Sequence, residues 1–183
     1  MVSETGNSNG GETRVIAQQL ALTAKDCAAR VAVAESLTGG QVCAELARTP
    51  DAGEWFVGGV VAYLSQVKYD LLGVPPGPVV SEAAARAMAE GVARLTGATH
   101  AGAVTGVGGP GTQDGQPVGT VWVATHTAGG PTTATRLALR GDPTTICRDA
   151  TRHCLSLLPD TLQERRHVSD RDLERMPNAG RPS

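Results

Sequence analysis

The stretch AESLTGGQ, from Ala34 to Gln41, places a serine between a carboxylate and a Leu-Thr-Gly-Gly run. The apolar run RVAVA comes before it and a helical pattern follows it, so Ser36 is predicted to lie in a strand-to-helix turn. Such turns expose a side chain at the carboxyl edge of a sheet, where α/β proteins build their sites. Ser36 is therefore either a nucleophile or the cap of the following helix, and capping is the commoner role for a serine in this position.

The same turn offers backbone N–H groups to an anion. The first N–H groups of a helix lack partners within the helix, and they can hold an oxyanion or a phosphate. Here we expect these free groups at Thr38, Gly39 and Gly40. Glycines in such a turn also let a ligand approach the backbone closely.

A second run, VTGVGGPG, repeats the arrangement of a strand followed by a threonine and glycines. Thr105 and the N–H groups of residues 106–109 are predicted to form an anion-binding nest, although the run could also serve only as a flexible connector. It is not a Walker loop, because it lacks the GK[ST] ending. Two Thr/Gly turns at strand ends predict one shared cleft for a phosphorylated ligand.

A serine that attacks a carbonyl carbon needs a base. None of the histidines has an arrangement with Ser36 that is typical of a catalytic triad. Lys68, however, closely follows the strand VVAY, and a lysine desolvated in a cleft can lose its proton near neutral pH. Tyr63, at the end of the same strand, could relay a proton or orient the amine. The alternatives are a solvated helix charge for Lys68 and a half-buried strand residue for Tyr63.

The elements that would position these residues alternate between helices and strands. The patterns predict helices at 13–30, 40–48 and 143–158, a short helix that ends at Leu72, and a long one capped by Ser81. They predict strands at 30–34, 58–64 and 99–107, and a hairpin around residues 128–131. This order predicts an α/β fold with a mixed, mostly parallel sheet. Residues 12–162 would form the domain, between disordered tails at 1–11 and 163–183.

Composition excludes several classes of protein. A chain of 183 residues has room for one well-filled core, which Ala, Val and Leu must fill because 3% of the residues are aromatic. A net charge of −2 without a Lys/Arg stripe argues against binding of nucleic acid. No signal peptide and no apolar run of ~20 residues are seen, so we expect a cytoplasmic protein with no membrane partner and reduced cysteines. No cluster of His, Cys, Asp and Glu has metal-ligand spacing, so we predict no metal.

Five stretches carry a resemblance to a known family: AESLTGG, VGGVVAYLSQVKYDLLGVP, VSEAAARAMAEG, AVTGVGGP and PVGTVWVA. They occur in the family's order and cover nearly all of residues 13–158, which makes them far more specific together than any one alone. The chain resembles the CinA C-terminal-domain family, the nicotinamide-nucleotide amidohydrolases. It looks like a standalone version, without the larger N-terminal domain that many members carry.

The resemblance implies a three-layer α/β/α sandwich whose sheet ends in a C-terminal β-hairpin followed by a helix. It implies hydrolysis of nicotinamide mononucleotide to nicotinate mononucleotide and ammonia, without a cofactor, by a homodimer or a larger homo-oligomer. Ser36 would be the nucleophile, and Lys68, helped by Tyr63, would remove its proton. The residues expected to contact the substrate are Glu35, Thr38, Gly39, Gly40, Thr105, Gly106, Gly108 and Gly109.

The chain departs from the family pattern where substrate charge matters. Gly141-Asp142-Pro143 stands where the family usually reads GDR, so a cation placed to meet the substrate or its phosphate is missing at Pro143. Losing one charge-assisted contact costs about 1.5–3 kcal/mol, or roughly tenfold to hundredfold in affinity. Two alternatives therefore stay open: a catalytically impaired nucleotide-binding module of the same fold, and an amidase acting on a different small amide.

Overall fold

The structure is a computed structural model that describes residues 8–174 of the chain, with side chains for residues 10–162. The helices described are α1 Ser8–Asp26, α2 Gln41–Ala47, α3 Ala52–Trp55, α4 Ser65–Leu72, α5 Glu82–Thr96 and α6 Pro143–Glu174. The strands are β1 Val31–Glu35, β2 Phe56–Val61, β3 His100–Gly106, β4 Thr120–Thr127 and β5 Thr132–Ala138. Within residues 8–174, no helix is both long enough and apolar enough to cross a bilayer.

The five strands form one mixed sheet in the order β2-β1-β3-β4-β5. Strand β1 pairs in parallel with β2 and β3, whereas β4 is antiparallel to both β3 and β5. The predicted mixed sheet is confirmed, but the expectation that it is mostly parallel holds only in part, since two of the four strand pairings are parallel and two are antiparallel. The reason is that no helix lies between β3 and β4. A parallel return needs a long crossover connection, usually through a helix.

Helices cover both faces of the sheet and complete three layers. Alternate residues of β1 point to opposite faces. Val31 and Val33 join a core with residues of α1, α2 and α6, whereas Ala32 and Ala34 join a core with α5. The α5 side consists largely of alanines, so this helix packs close to the sheet without large side chains. Ser81 caps α5 as predicted, with its hydroxyl accepting from the N–H of Ala84.

Several element boundaries differ from those predicted. Helix α1 begins at Ser8, so residues 8–11 are helical rather than part of a tail. Helix α6 continues past Leu158 to Glu174, so the predicted domain boundary at 162 lies inside it. Pro159 removes one helical N–H, but Leu158 and Leu162 on either side are fully buried, and their packing favours a continuous helix. The short helix α3 was not predicted, and the outer parts of both predicted tails, 1–7 and 175–183, lie outside the described residues.

The strand order reverses at β1, because the chain places β2 on one side of it and β3 on the other. In open α/β sheets, ligands bind in the crevice at the carboxyl ends of strands at such a switch point. The carboxyl ends of β1 and β3 are adjacent, and the N–H of Ser36 donates to the carbonyl of Val104 at 3.0 Å. The fold therefore brings the AESLTGG and VTGVGGPG runs together at one edge of the sheet.

Candidate active site

A cavity of about 340 Å³, here called the Ser36 pocket, lies at this switch point. Its walls come from the turn after β1, the end of β2, the loop after β3 and the start of α6. The lining residues are Ser36, Leu37, Tyr63, Gly106, Val107, Gly108, Gly109, Gly111, Thr112, Gln113, Pro143 and Cys147. The cleft predicted from the two strand ends is therefore present.

Glu35 fixes the turn that carries Ser36. The Glu35 side chain is fully buried. Its Oε2 accepts from the hydroxyl of Thr38 at 2.7 Å and from the N–H groups of Gly40 and Val42, while its Oε1 accepts from the N–H of Cys43 at 2.7 Å. A buried carboxylate is tolerated when hydrogen bonds satisfy it, and here it caps the first turn of α2. Glu35 therefore holds the backbone that follows Ser36, and it does not line the Ser36 pocket, although it was expected to contact the substrate.

Ser36 has a free hydroxyl in the pocket. The residue is 8% exposed, and its backbone is held by its N–H bond to Val104 and by the N–H of Gly39 donating to the Ser36 carbonyl. Its Oγ makes no hydrogen bond with any residue in the described part of the chain, so the hydroxyl is not used as a helix cap. Helix α2 begins only at Gln41, and Glu35 takes the capping role that a serine in this stretch was expected to have.

The N–H groups predicted to bind an anion are used differently in the structure. The expectation of free groups at Gly39 and Gly40 is wrong, because the first donates to the carbonyl of Ser36 and the second to Glu35. Both glycines have a positive φ, which the tight turn requires. Thr38 is 1% exposed, with its hydroxyl on Glu35. None of the three lines the pocket. Four described residues of the two turns line the pocket with N–H groups that make no hydrogen bond: Leu37, Gly108, Gly109 and Gly111.

The loop after β3 contributes backbone rather than side chains to the pocket. Gly106, Gly108 and Gly109, which were expected to contact the substrate, line it. A Cβ at Gly106 would lie 2.6 Å from the Thr120 carbonyl oxygen, so glycine is required there by the close approach of β4. Thr105 was expected to contact the substrate, but it is 1% exposed and does not line the pocket. Its hydroxyl donates to the carbonyl of Val79 at 2.8 Å.

Lys68 is buried beneath the segment that follows β2. It lies on α4 and is 1% exposed, so the alternative of a solvated helix charge is wrong. Its Nζ donates to the carbonyl of Ala62 at 2.8 Å and, at 3.5 Å, to that of Tyr63. Burial lowers the pKa of the Lys68 ammonium, and the nearby charge of Asp114 partly opposes this effect. Lys68 does not itself line the pocket, whereas the 70% exposed Tyr63 does.

The number of acceptors around Lys68 suits a neutral amine. A neutral primary amine has two N–H bonds and one lone pair, and two carbonyl oxygens accept from this nitrogen. The remaining tetrahedral position on Nζ then carries the lone pair, which is the part of the group that can take a proton. The bonding of Nζ therefore leaves one position for a proton, but no hydrogen bond joins this nitrogen to the Oγ of Ser36 in the structure.

The pocket lining carries no charged side chain among the described residues. Pro143 contributes to it where a cation was expected from the resemblance, and it opens α6 directly after Asp142. The carboxylate of Asp142 accepts from the N–H of Thr145 at 2.8 Å, and this bond lowers the pKa of Asp142. Cys147 also lines the pocket, and its thiol donates to the carbonyl of Leu37. No group of three potential metal ligands is found among the described residues.

Comparison with known proteins identifies the family. The model of the CinA C-terminal domain matches residues 13–162, so the chain belongs to the CinA C-terminal domain family. A CinA-like protein of Myxococcus xanthus is 37% identical over 155 residues, which cover 81% of this chain and 37% of that protein. A putative competence-damage inducible protein of Desulforamulus reducens is 49% identical over 104 residues, which cover 54% of this chain and 25% of that protein. The matched part of the chain thus spans 37% of the first relative and 25% of the second.

A solved structure also matches over most of its length. The crystal structure of a CinA superfamily protein from Klebsiella pneumoniae has a TM-score of 0.79 and 31% sequence identity. The match covers 83% of this chain and 98% of that one. The α/β architecture and its mixed sheet are therefore those of the CinA superfamily.

Proposed function

We propose that the chain is a serine amidohydrolase that hydrolyses the carboxamide of nicotinamide mononucleotide to nicotinate mononucleotide and ammonia. The observation that carries this proposal is the unpaired hydroxyl of Ser36 in the pocket, next to the unpaired N–H groups of Leu37 and Gly108. A nucleophile needs a free oxygen, and the oxyanion that its attack creates needs donors close by.

The first half of the reaction forms an acyl-enzyme. The Oγ of Ser36 attacks the carboxamide carbon, and its proton passes to the neutral Nζ of Lys68 through the hydroxyl of Tyr63, because Tyr63 lines the pocket and Lys68 does not. The N–H groups of Leu37 and Gly108 stabilise the oxyanion. The C–N bond then breaks, the Lys68 ammonium protonates the leaving nitrogen, and ammonia departs from an ester of Ser36.

The second half restores the enzyme. A water molecule attacks the ester carbon and gives its proton to Lys68. The bond to Ser36 breaks, the proton returns from Lys68 to the Oγ, and the carboxylic acid leaves. The sum is amide plus water to acid plus ammonia, with no cofactor consumed. The lowered pKa of Lys68 supports this role, because the base must be neutral when the reaction starts.

Ammonia release from nicotinamide mononucleotide tests the proposal directly. We expect turnover by the wild type, a loss of at least about a thousandfold in Ser36→Ala and a similar loss in Lys68→Met. Ser156→Ala is the matched control, because Ser156 bonds the carbonyl of His153 on α6, away from the pocket. Turnover by Ser36→Ala equal to that of the wild type would refute the assignment of the nucleophile.

A second candidate function is a nucleotide-binding module without chemistry. The observations that favour it are the uncharged pocket lining at Pro143 and the position of Lys68 outside that lining. It predicts saturable binding of the nucleotide in calorimetry with no ammonia from the wild type. Product formation that depends on Ser36 excludes it.

The setting of this reaction is also part of the proposal. We place the protein in the cytoplasm, where all four cysteines would stay as the free thiols that the structure contains. We expect a homodimer or larger homo-oligomer, which sedimentation velocity at micromolar concentration would detect. A single monomeric species at that concentration would contradict the expectation.

A further inference from the structure

We infer that Asp114 is a positioning residue of the Ser36 pocket, which anchors the loop that forms one wall and sets the charge around Lys68. This inference rests on the proposed function. Asp114 lies in the loop between β3 and β4, was not among the predicted site residues and is not a lining residue itself. It acts through the groups that it holds.

The first contact anchors the segment before α5. The Oδ2 of Asp114 accepts from the N–H of Val79 at 2.7 Å and from that of Val80 at 2.9 Å. The carbonyl of Val79 in turn accepts from the hydroxyl of Thr105 at the end of β3. Asp114 of the loop therefore holds the N–H of Val79, and Thr105 of β3 holds its carbonyl. Val79 lies two residues before Ser81, which caps α5.

The second feature is the turn that presents Asp114. Gln113 and Gln116 pair through both of their backbone hydrogen bonds, and the two residues between them, Asp114 and Gly115, have φ values of 53° and 73°. Positive φ at both central positions defines a type I′ hairpin turn, for which Asp-Gly is a favoured pair. The tip of the loop is thus a small rigid hairpin. Its anchor holds the preceding residues 108–113, here called the pocket loop, all of which except Pro110 line the pocket.

The third feature is charge. Lys68 is buried and its Nζ bonds only carbonyl oxygens among the described residues, so the ammonium that forms when Lys68 takes up a proton needs a compensating charge. The carboxylate of Asp114 raises the pKa of Lys68 against the effect of burial. Other titratable or charged groups around α4 are Tyr63 before it, Tyr69 and Asp70 on it, and Arg94 of α5 near its end. Asp70 is paired with Gln66, and Tyr69 with the carbonyl of Gly77.

Two substitutions separate the anchor from the charge. Asp114→Asn keeps an oxygen that can accept from both N–H groups but removes the charge, whereas Asp114→Ala removes both. Asp70→Asn is the matched control, because it removes one carboxylate from the helix of Lys68 and leaves the loop anchor intact. We expect Asp114→Ala to raise KM about tenfold through the freed pocket loop, and Asp114→Asn to leave KM within about twofold.

The charge is measured at Lys68 itself. The chain contains two lysines, Lys25 and Lys68, so protein labelled with ¹³C at lysine Cε gives two resolved signals whose pH titrations can be followed by NMR. Lys25 lies in an exposed ion pair with Asp51 and Glu54 and serves as the internal reference. We expect Asp114→Asn and Asp114→Ala to move the Lys68 titration to lower pH, with Lys25 unchanged. Asp70→Asn should move neither.

The outcomes divide cleanly between this inference and the proposed function. An unchanged Lys68 titration in Asp114→Asn, or an unchanged KM in Asp114→Ala, overturns the role of Asp114 even if the wild type is an active amidase. If the wild type releases no ammonia, the proposed function fails. In that case calorimetry measures the dissociation constant of nicotinamide mononucleotide for the wild type and for Asp114→Ala. Equal dissociation constants, or no binding by either protein, overturn the role of Asp114 as an anchor.

Discussion

Replacing Pro143 with arginine tests how the pocket treats the phosphate of a nucleotide. Pro143 lines the pocket at the first position of α6, and no charged side chain lines it among the described residues. The wild type should therefore bind nicotinamide mononucleotide and its nucleoside, nicotinamide riboside, with similar affinity. Pro143→Arg places a guanidinium at the rim, where it can form charge-assisted hydrogen bonds with the phosphate.

The size of the effect follows from two opposing contributions. A hydrogen bond to a charged group contributes about 1.5–3 kcal/mol. A cation at a helix N-terminus is disfavoured by about 0.3–1 kcal/mol, and α6 begins at this residue. The net gain of about 0.5–2.7 kcal/mol corresponds to an affinity about 2- to 100-fold higher for the mononucleotide.

Calorimetry in a Ser36→Ala background measures these affinities without turnover. Pro143→Arg should tighten binding of the mononucleotide and leave binding of the riboside unchanged. Thr144→Arg is the matched control, because it adds the same charge one residue further along α6, outside the pocket lining. An equal gain for both ligands, an equal gain in the control, or no gain for the mononucleotide would refute the reasoning about charge in the pocket.

Three further changes test the supports of the site. Lys68→Met should leave the free energy of unfolding unchanged or raised, because a buried ammonium is replaced by an apolar chain. In the wild type, the free energy of unfolding should rise with pH between the lowered pKa of Lys68 and the ordinary value of 10.5, because the unfolded state binds more protons in that range. Urea titrations at several pH values should show this rise in the wild type and not in Lys68→Met. Glu35→Ala leaves three backbone N–H groups without their acceptor and should lower the free energy of unfolding by about 3 kcal/mol or more in urea titration. Gly91→Ala would bring a Cβ to 2.1 Å from the Leu72 carbonyl oxygen, so it should push α4 away from α5 and reduce both kcat and thermal stability. Gly53→Ala is the control and should change neither, because no atom lies within 4 Å of a Cβ at that position.

The sequence predicted the framework of the site because that framework depends on local patterns. The buried run before Ser36 and the capping serine of α5 are signals within a few residues, and both elements are found where expected. Two strands that end in Thr/Gly runs were enough to predict one cleft. The sheet has fewer parallel pairings than predicted. Local sequence patterns indicate a hairpin, but they do not reveal which strand of the sheet that hairpin pairs with.

Side-chain directions could not be predicted because they depend on distant partners. Thr105 was assigned to the ligand, but the carbonyl that it bonds belongs to Val79, 26 residues away in the chain. The N–H of Gly40 was expected to be free, yet the buried carboxylate of Glu35 accepts from it. Asp114 was missed, although its Asp-Gly pair is a turn signal, because nothing local indicates that its carboxylate reaches residues 79 and 80.

Trapping the covalent intermediate tests the central claim most directly. Wild-type protein mixed with nicotinamide mononucleotide and quenched in acid within the first turnover should carry the acyl group of the substrate as an ester. Peptide mass spectrometry should locate this ester on Ser36, and Ser36→Ala should carry none. Ammonia release without any adduct on Ser36, at a rate that Ser36→Ala retains, would contradict the account.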